Sequence, residues 1–257
     1  MPGLVTLTTD FGRRDPYAAA LEAAVLKVAP DTRVVHVSHD VPPGDIVTGA
    51  YLLEYASRVF ADGTGSSPVH LGVVDPGVGS GRRILAVDCA GFFLVGPDNG
   101  LLRRALRGRT VAAVVLRETV EAAPTFQSRD IMAPAAARLA AGEGLASLGD
   151  PTEVDIDPPA PELPDHGQVT TTVAHVDGFG TVVADIRCPA AVAVKLLRIS
   201  GREIQLARTF SDVPSGSLVA YRGSIGYLEV AVRDGSAASE LGLNPGDGLA
   251  IVVVGGP

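Results

Sequence analysis

The strongest constraint on the fold of this chain is the way its apolar residues are grouped. Over the first 150 residues, short β-branched runs alternate with segments of helical period. "LVTLTT", "TRVVHVS", "PVHLGVVD", "RRILAVD" and "TVAAVVL" read as strands. Between the first two, Tyr17, Leu21, Ala24, Val25 and Val28 fall on one helical face, and further helices are expected over residues 45–60, 100–107 and 130–141. Strands that are apolar on both sides and separated by helices imply an α/β domain with a mostly parallel sheet.

The pattern then breaks. "DPTEVDIDPPAPELPDHG", Asp150 to Gly167, carries five prolines among acidic residues, which disfavours regular structure and marks a domain boundary. Beyond it come "VTTTVAHVD", "TVVADI", "AVKLLRI", "SLVAYRG", "GYLEVAV" and "GLAIVVV", with one short helix expected over residues 236–241. Many short strands separated by turn residues suggest a smaller all-β domain, an antiparallel barrel. The expected division is an α/β substrate and water-activating domain over 1–160 and a β-barrel domain over 161–257. A length of 257 residues with 46% hydrophobic residues is enough to bury two modest cores.

Charge narrows the function. The net charge is -8 and the 21 Lys and Arg never gather into a run, so the surface repels a phosphate backbone and nucleic acid is not an expected partner. The N-terminus has neither a basic start nor a long apolar stretch, and no window has the roughly 18 apolar residues of a membrane span, so a cytoplasmic protein is expected. Cys89 and Cys188 match no metal-ligand spacing and are expected as buried free thiols, and no metal site is expected.

One loop carries the chemistry. "VVDPGVGSGRR" has glycines at 77, 79 and 81 followed by arginines and another strand. That fits neither a dinucleotide fingerprint, which opens a helix, nor a Walker loop, which ends in Gly-Lys-Ser/Thr. Asp75 instead stands at the C-terminal end of a strand, where open α/β sheets place ligands, and Arg82 follows seven residues later, so a carboxylate and a guanidinium meet across a glycine turn. Similar strand ends hold Asp10 with Asp15 beyond it, Asp98 with Asn99, and Phe126, Gln127, Ser128 and Arg129. Taken singly, each has a plain structural reading: an ion pair bracing a turn, a local cap, a core aromatic. Together they suit a polar ligand with hydroxyls and an amine.

In this order, "LTTDFGRRDPY", "VSHDVPPGDI", "VVDPGVGSGRR", "GPDNGLL", "PTFQSRDIMAPAAA", "VDGFGTVVADI" and "GSIGYLEVAV" resemble the S-adenosylmethionine hydroxide adenosyltransferases, relatives of the fluorinating and chlorinating adenosyl enzymes. The resemblance spans nearly the whole chain. It implies hydrolysis of S-adenosylmethionine to adenosine and L-methionine without a cofactor, in a homotrimer whose substrate lies between one subunit's first domain and a neighbour's second.

Carried over by residue, the resemblance makes Asp10 the acceptor for the ribose hydroxyls and sets Asp15 and Tyr17 toward the methionine ammonium. It places Phe126 and Phe179 against the adenine and Ser224 at the amino-acid end, with Asn99, Ser128 and Asp177 completing the substrate-binding set. The family's water-handling trio is Asp, Arg and His. Asp75 and Arg82 match the first two, while the third position is Gln127 here. The family's usual Asn after the Phe-Gly pair is Thr181.

The chemistry asks little of such a site. A sulfonium activates the adjoining carbon and its thioether leaves neutral, so no general acid is needed. What remains is to place a partly deprotonated water, which Asp75 orients while Arg82 stabilises hydroxide character. Two alternatives use the same residues. Ser128 resembles a serine of the fluorinating relatives, but a carboxylate about 4 Å from a halide costs on the order of 1 to 4 kcal/mol, and the inserted loop of those relatives is lacking. A sensor that binds S-adenosylmethionine or adenosine without turnover fits Gln127.

Overall fold

The computed structural model describes residues 3–60, 67–117, 121–190 and 196–254. The chain divides into two compact units, Met1–Pro158 and Pro159–Pro257.

In the first unit the strands are β1 (Leu4–Thr9), β2 (Arg33–Ser38), β3 (Val69–Val73), β4 (Ile84–Asp88), β5 (Phe93–Pro97), β6 (Ala112–Leu116) and β7 (Gly149–Thr152). They form one sheet in the order β2-β1-β3-β5-β4-β6-β7. Helices α1 (Tyr17–Val28) and α3 (Ala133–Ala140) pack Leu21, Val25 and Ala136, with Met132 just ahead of α3, against Val5 and Leu7 of β1. On a second core, α2 (Ile46–Val59) packs Leu53 with Leu85, Leu94 and Leu101. Helix α1 buries Leu21 and Val25 as its period requires, but Tyr17 and Val28 at its ends are 48% and 43% exposed.

The sheet is mixed, which corrects the expectation of a mostly parallel one. β2-β1-β3-β5 pair in parallel, whereas β4 pairs antiparallel with both β5 and β6, and β6 with β7. The cause is local: β4 turns directly into β5 through a tight connection in which Cys89 N–H donates to the Phe92 carbonyl at 2.9 Å, and only antiparallel neighbours can be joined so briefly. Strand β5 is absent from the sequence-based expectation because its Gly96 and Pro97 resemble turn residues.

Two other expectations also change. Residues 100–107 form a run of i to i+3 turns, not a helix, with Arg103, Leu106 and Arg107 N–H groups donating three residues back. The acidic proline tract is not wholly irregular, because it begins with the edge strand β7. Proline is tolerated on an edge, and Gly149 is required there because a Cβ would lie 1.9 Å from the Val115 carbonyl oxygen.

The second unit is a closed barrel ordered β10-β11-β12-β13-β9-β8-β14. Its strands are β8 (Gly167–Val176), β9 (Val182–Arg187), β10 (Leu196–Ile199), β11 (Arg202–Leu206), β12 (Leu218–Arg222), β13 (Tyr227–Val232) and β14 (Gly248–Val254). The pairing is antiparallel except for β11 with β12, and β11 was not expected. Of the strand expected over 193–199, residues 193–195 lie outside the described residues. Val173, Val182, Leu197, Ile204, Leu228 and Ile251 fill the barrel core. The short helix α4 (Ala237–Leu241) is capped by Ser236, whose hydroxyl accepts from Ser239 N–H at 3.2 Å. Cys89 and Cys188 are buried and free. No described helix is long and apolar enough to cross a membrane.

Candidate active site

The loop after β3 carries Asp75 two residues past the strand end. Gly79 takes a left-handed φ of +80° with the Pro124 carbonyl oxygen 3.2 Å from where a Cβ would sit, so a side chain there meets both strain and crowding. The turn it permits brings Arg82 back onto Asp75. Arg82 Nε donates to both carboxylate oxygens, at 2.8 and 2.9 Å, and Nη2 donates to Oδ2 as well. The same Nη2 donates to Gln127 Oε1 at 2.5 Å. The pair is dry, since the side chains of Arg82 and Asp75 are 9% and 5% exposed. Arg82 Nη1 is also buried and has no hydrogen-bond partner among the described residues. Arg82 therefore has hydrogen-bonding capacity left over, of the kind a placed water or oxyanion satisfies.

Beside Asp75 lies a cavity of about 330 Å³, lined by residues that include Asp10, Tyr17, Asp75, Phe126 and Ser128. Asp10 directly follows β1, and its Oδ2 accepts from Gly44 N–H at 2.9 Å, which leaves the carboxylate further lone pairs to offer. Phe11, Tyr17 and Phe126 meet edge to face, with ring centroids 5.7 to 6.2 Å apart. The Arg129 guanidinium lies 4.7 Å from the Phe126 centroid. Gln127 and Ser128 are buried where a single π turn, Ser128–Met132, leads into α3. Irregular turns of this kind often occur at functional sites.

Four expected residues of the first unit are not part of its lining: Arg82 and Gln127, which stand behind Asp75, and Asp15 and Asn99. Asp15 is exposed. Asn99 spends its amide on the backbone, donating to the Val74 carbonyl at 2.9 Å and accepting from Leu101 N–H at 3.2 Å. It braces the loop that presents Asp75.

The barrel has its own cavity of about 960 Å³, whose lining includes Asp177, Phe179, Thr181, Tyr221, Ser224 and Glu229. Asp177 Oδ1 accepts from Phe179 and Thr181 N–H at 2.9 and 2.8 Å, which shapes the turn that leaves Phe179 86% exposed. Two polar residues there are not among those expected from the sequence. Tyr221 and Glu229 are direct partners across β12 and β13, and burial pushes both acids above their ordinary values. The signal was a lone glutamate inside the apolar strand "GYLEVAV".

Known proteins similar to this chain show its family. The profile of the SAM hydroxide adenosyltransferase N-terminal domain matches residues 5–149, and that of the C-terminal domain matches residues 171–250. The chain belongs to the SAM hydroxide adenosyltransferase family. It is 39% identical to the (R)-S-adenosyl-L-methionine hydrolase of Salinispora arenicola, over 96% of this chain and 97% of that one. A fluorinase of Nocardia brasiliensis is 28% identical over 97% of each chain. The crystal structure of a conserved hypothetical protein from Thermus thermophilus superposes with a TM-score of 0.80 at 35% identity, covering 99% of this chain and 100% of that one.

Proposed function

We propose that this protein hydrolyses S-adenosyl-L-methionine to adenosine and L-methionine by attack of water on the ribose C5′. The single observation that carries this reading is the buried Asp75–Arg82 pair, joined by Gln127 beside a cavity that also presents Asp10. Water's oxygen bonds to C5′ as the C5′–S bond breaks, the electron pair leaves on the methionine sulfur, and one proton is released. Asp75 accepts a hydrogen bond from the water and draws off the proton, and Arg82 stabilises the hydroxide character that develops. The leaving thioether is neutral, so no acid is required on that side.

In this reading Asp10 accepts the ribose hydroxyls, and the rings of Tyr17 and Phe126 offer an apolar wall. Asp177, Phe179 and Ser224 contribute from the barrel of a neighbouring copy in a homotrimer. The exposure of Phe179 supports that assembly, because an aromatic ring left 86% in water gains from being covered. Asp15 acts at the methionine ammonium end, and Asn99 through the loop that it braces. The protein works in the cytoplasm and needs no cofactor. The relative's name specifies the (R) sulfonium epimer, and the same preference is proposed here.

The test is incubation with (R)- and (S)-S-adenosylmethionine separately, with products resolved by chromatography. Equimolar adenosine and methionine from the (R) epimer are expected. Tight binding without adenosine would identify a sensor, and it would mean that Gln127 in the position of the family's histidine had ended turnover.

A further inference from the structure

Behind Asp10 runs a line of hydrogen bonds that the reaction itself does not use. Thr9 Oγ1 is 2.8 Å from His39 Nδ1, His39 Nε2 is 2.6 Å from His36 Nδ1, and His36 Nε2 is 3.2 Å from Glu22 Oε2 on α1. Thr9 and His39 are buried, whereas Glu22 is part-exposed. At its inner end, Thr9 Oγ1 also accepts from Phe11 N–H at 3.2 Å, so this hydroxyl braces the turn on which Asp10 sits. His39 adds a second clamp through its carbonyl, which accepts from Gly12 N–H at 2.7 Å.

With both imidazoles neutral, the direction of the line is determined. The Glu22 carboxylate only accepts, so His36 Nε2–H donates to it and His36 Nδ1 must accept. His39 Nε2–H then donates to His36, His39 Nδ1 accepts, and the Thr9 hydroxyl donates. Adding one proton to the pair puts a hydrogen on His39 Nδ1 in either arrangement that keeps the histidines bonded. Thr9 must then accept from both His39 and Phe11, and its own buried hydrogen loses its acceptor.

We propose that His39, acting through Thr9, is a positioning residue for Asp10, and that protonation of the His36–His39 pair loosens the Asp10 turn and weakens substrate binding without slowing the chemistry. The inference rests on the hydrolase reading given above. The charged groups around His39 are Glu22 from α1, Arg13 from the turn after β1, and Asp40, which pairs with Arg13 at 3.3 Å. At α2, which also packs against β2, the N-cap Asp45 is taken by Thr48 N–H and Glu54 by Arg58 and Arg104. Burial first, then His36 and Arg13, push His39 below 6.5, against a smaller opposing pull from Asp40. His39, held below its ordinary value, stays neutral at neutral pH, where the line is intact, and acidification is the perturbation that reverses it.

The experiment is kcat and KM for S-adenosylmethionine from pH 8 to pH 5 in the wild type, His39→Leu and Thr9→Val, with Kd by calorimetry alongside. In the wild type, KM and Kd should rise about tenfold toward pH 5 while kcat changes less than threefold. Both variants should show a KM about tenfold higher at pH 8 that no longer depends on pH. Thr9→Val keeps the shape of the side chain, so it covers the case in which His39→Leu fails to fold. A purely structural defect would lower kcat per mole of protein in place of this split. A KM and Kd that ignore pH in the wild type, or that retain their pH dependence in Thr9→Val, overturn the inference. Binding without adenosine in the wild type refutes the hydrolase reading instead, and leaves the relay to be judged on Kd.

Discussion

Asp75→Asn separates catalysis from stability at the Asp75–Arg82 pair. The substitution keeps the shape of the side chain and one acceptor oxygen but removes the charge that a 9%-exposed guanidinium faces. Breaking a buried pair costs about 3–5 kcal/mol, and the surviving acceptor argues for the lower figure. At 2–4 °C per kcal/mol for a chain of this size, melting should fall by about 6–12 °C. Turnover should fall by about 10² or more, equivalent to about 2.7 kcal/mol of lost transition-state stabilisation, because an amide cannot take the proton from water. KM should stay within about tenfold, since the lost charge acts on water and not on the adenosyl group.

The assay is adenosine formation against substrate concentration at a temperature well below the variant's melting point. The double variant Asp75→Leu/Arg82→Met is the control. Apolar residues of similar volume commonly replace a buried pair without loss of stability, so this protein should melt near the wild-type temperature yet remain inactive. Recovery of turnover in the double variant, or an Asp75→Asn kcat within about threefold of wild type, would refute the assignment of Asp75 to water.

Other perturbations probe separate parts of the account. Asp10→Ala should raise KM by about tenfold or more with kcat little changed, as expected when an acceptor for two hydroxyls is removed and read from the same kinetics. Gln127→His should speed hydrolysis near neutral pH by about tenfold and add a pH dependence, because histidine can share the proton that glutamine cannot; a flat profile from about pH 6 to 8 with an unchanged rate would mean that residue 127 only orients. Burial pushes His70 from 6.5 down to about 4, so the native imidazole stays neutral while the unfolded chain protonates. Stability should be intact above 6.5 and decline by roughly 3 kcal/mol as pH falls toward 4, and His70→Gln should flatten that decline in thermal melts across pH.

What the sequence revealed follows from how local each feature is. The strand ends bearing Asp10 and Asp75, and the contact of Asp75 with Arg82, are readable because a seven-residue glycine turn can close on itself without help from the rest of the fold. Gln127 is different. It reaches Arg82 from 45 residues away, and only the family resemblance, not spacing, pointed to it. The antiparallel half of the first sheet was hidden because the tight β4–β5 connection uses Ala90 at φ +53° and Gly91, a pair without a strong hairpin signature. Residues 100–107 have a helical pattern, yet positive-φ glycines at 100 and 108 confine them to a short run of turns. The Thr9–His39–His36–Glu22 line joins three elements, and no one-dimensional period records it.

In the proposed mechanism, water placed by Asp75 and Arg82 attacks C5′. The most direct measurement is hydrolysis of (R)-S-adenosylmethionine in ¹⁸O-enriched water, with both products examined by mass spectrometry. One ¹⁸O is expected in the 5′-hydroxyl of adenosine and none in methionine. Unlabelled adenosine, or label in methionine, would contradict that mechanism.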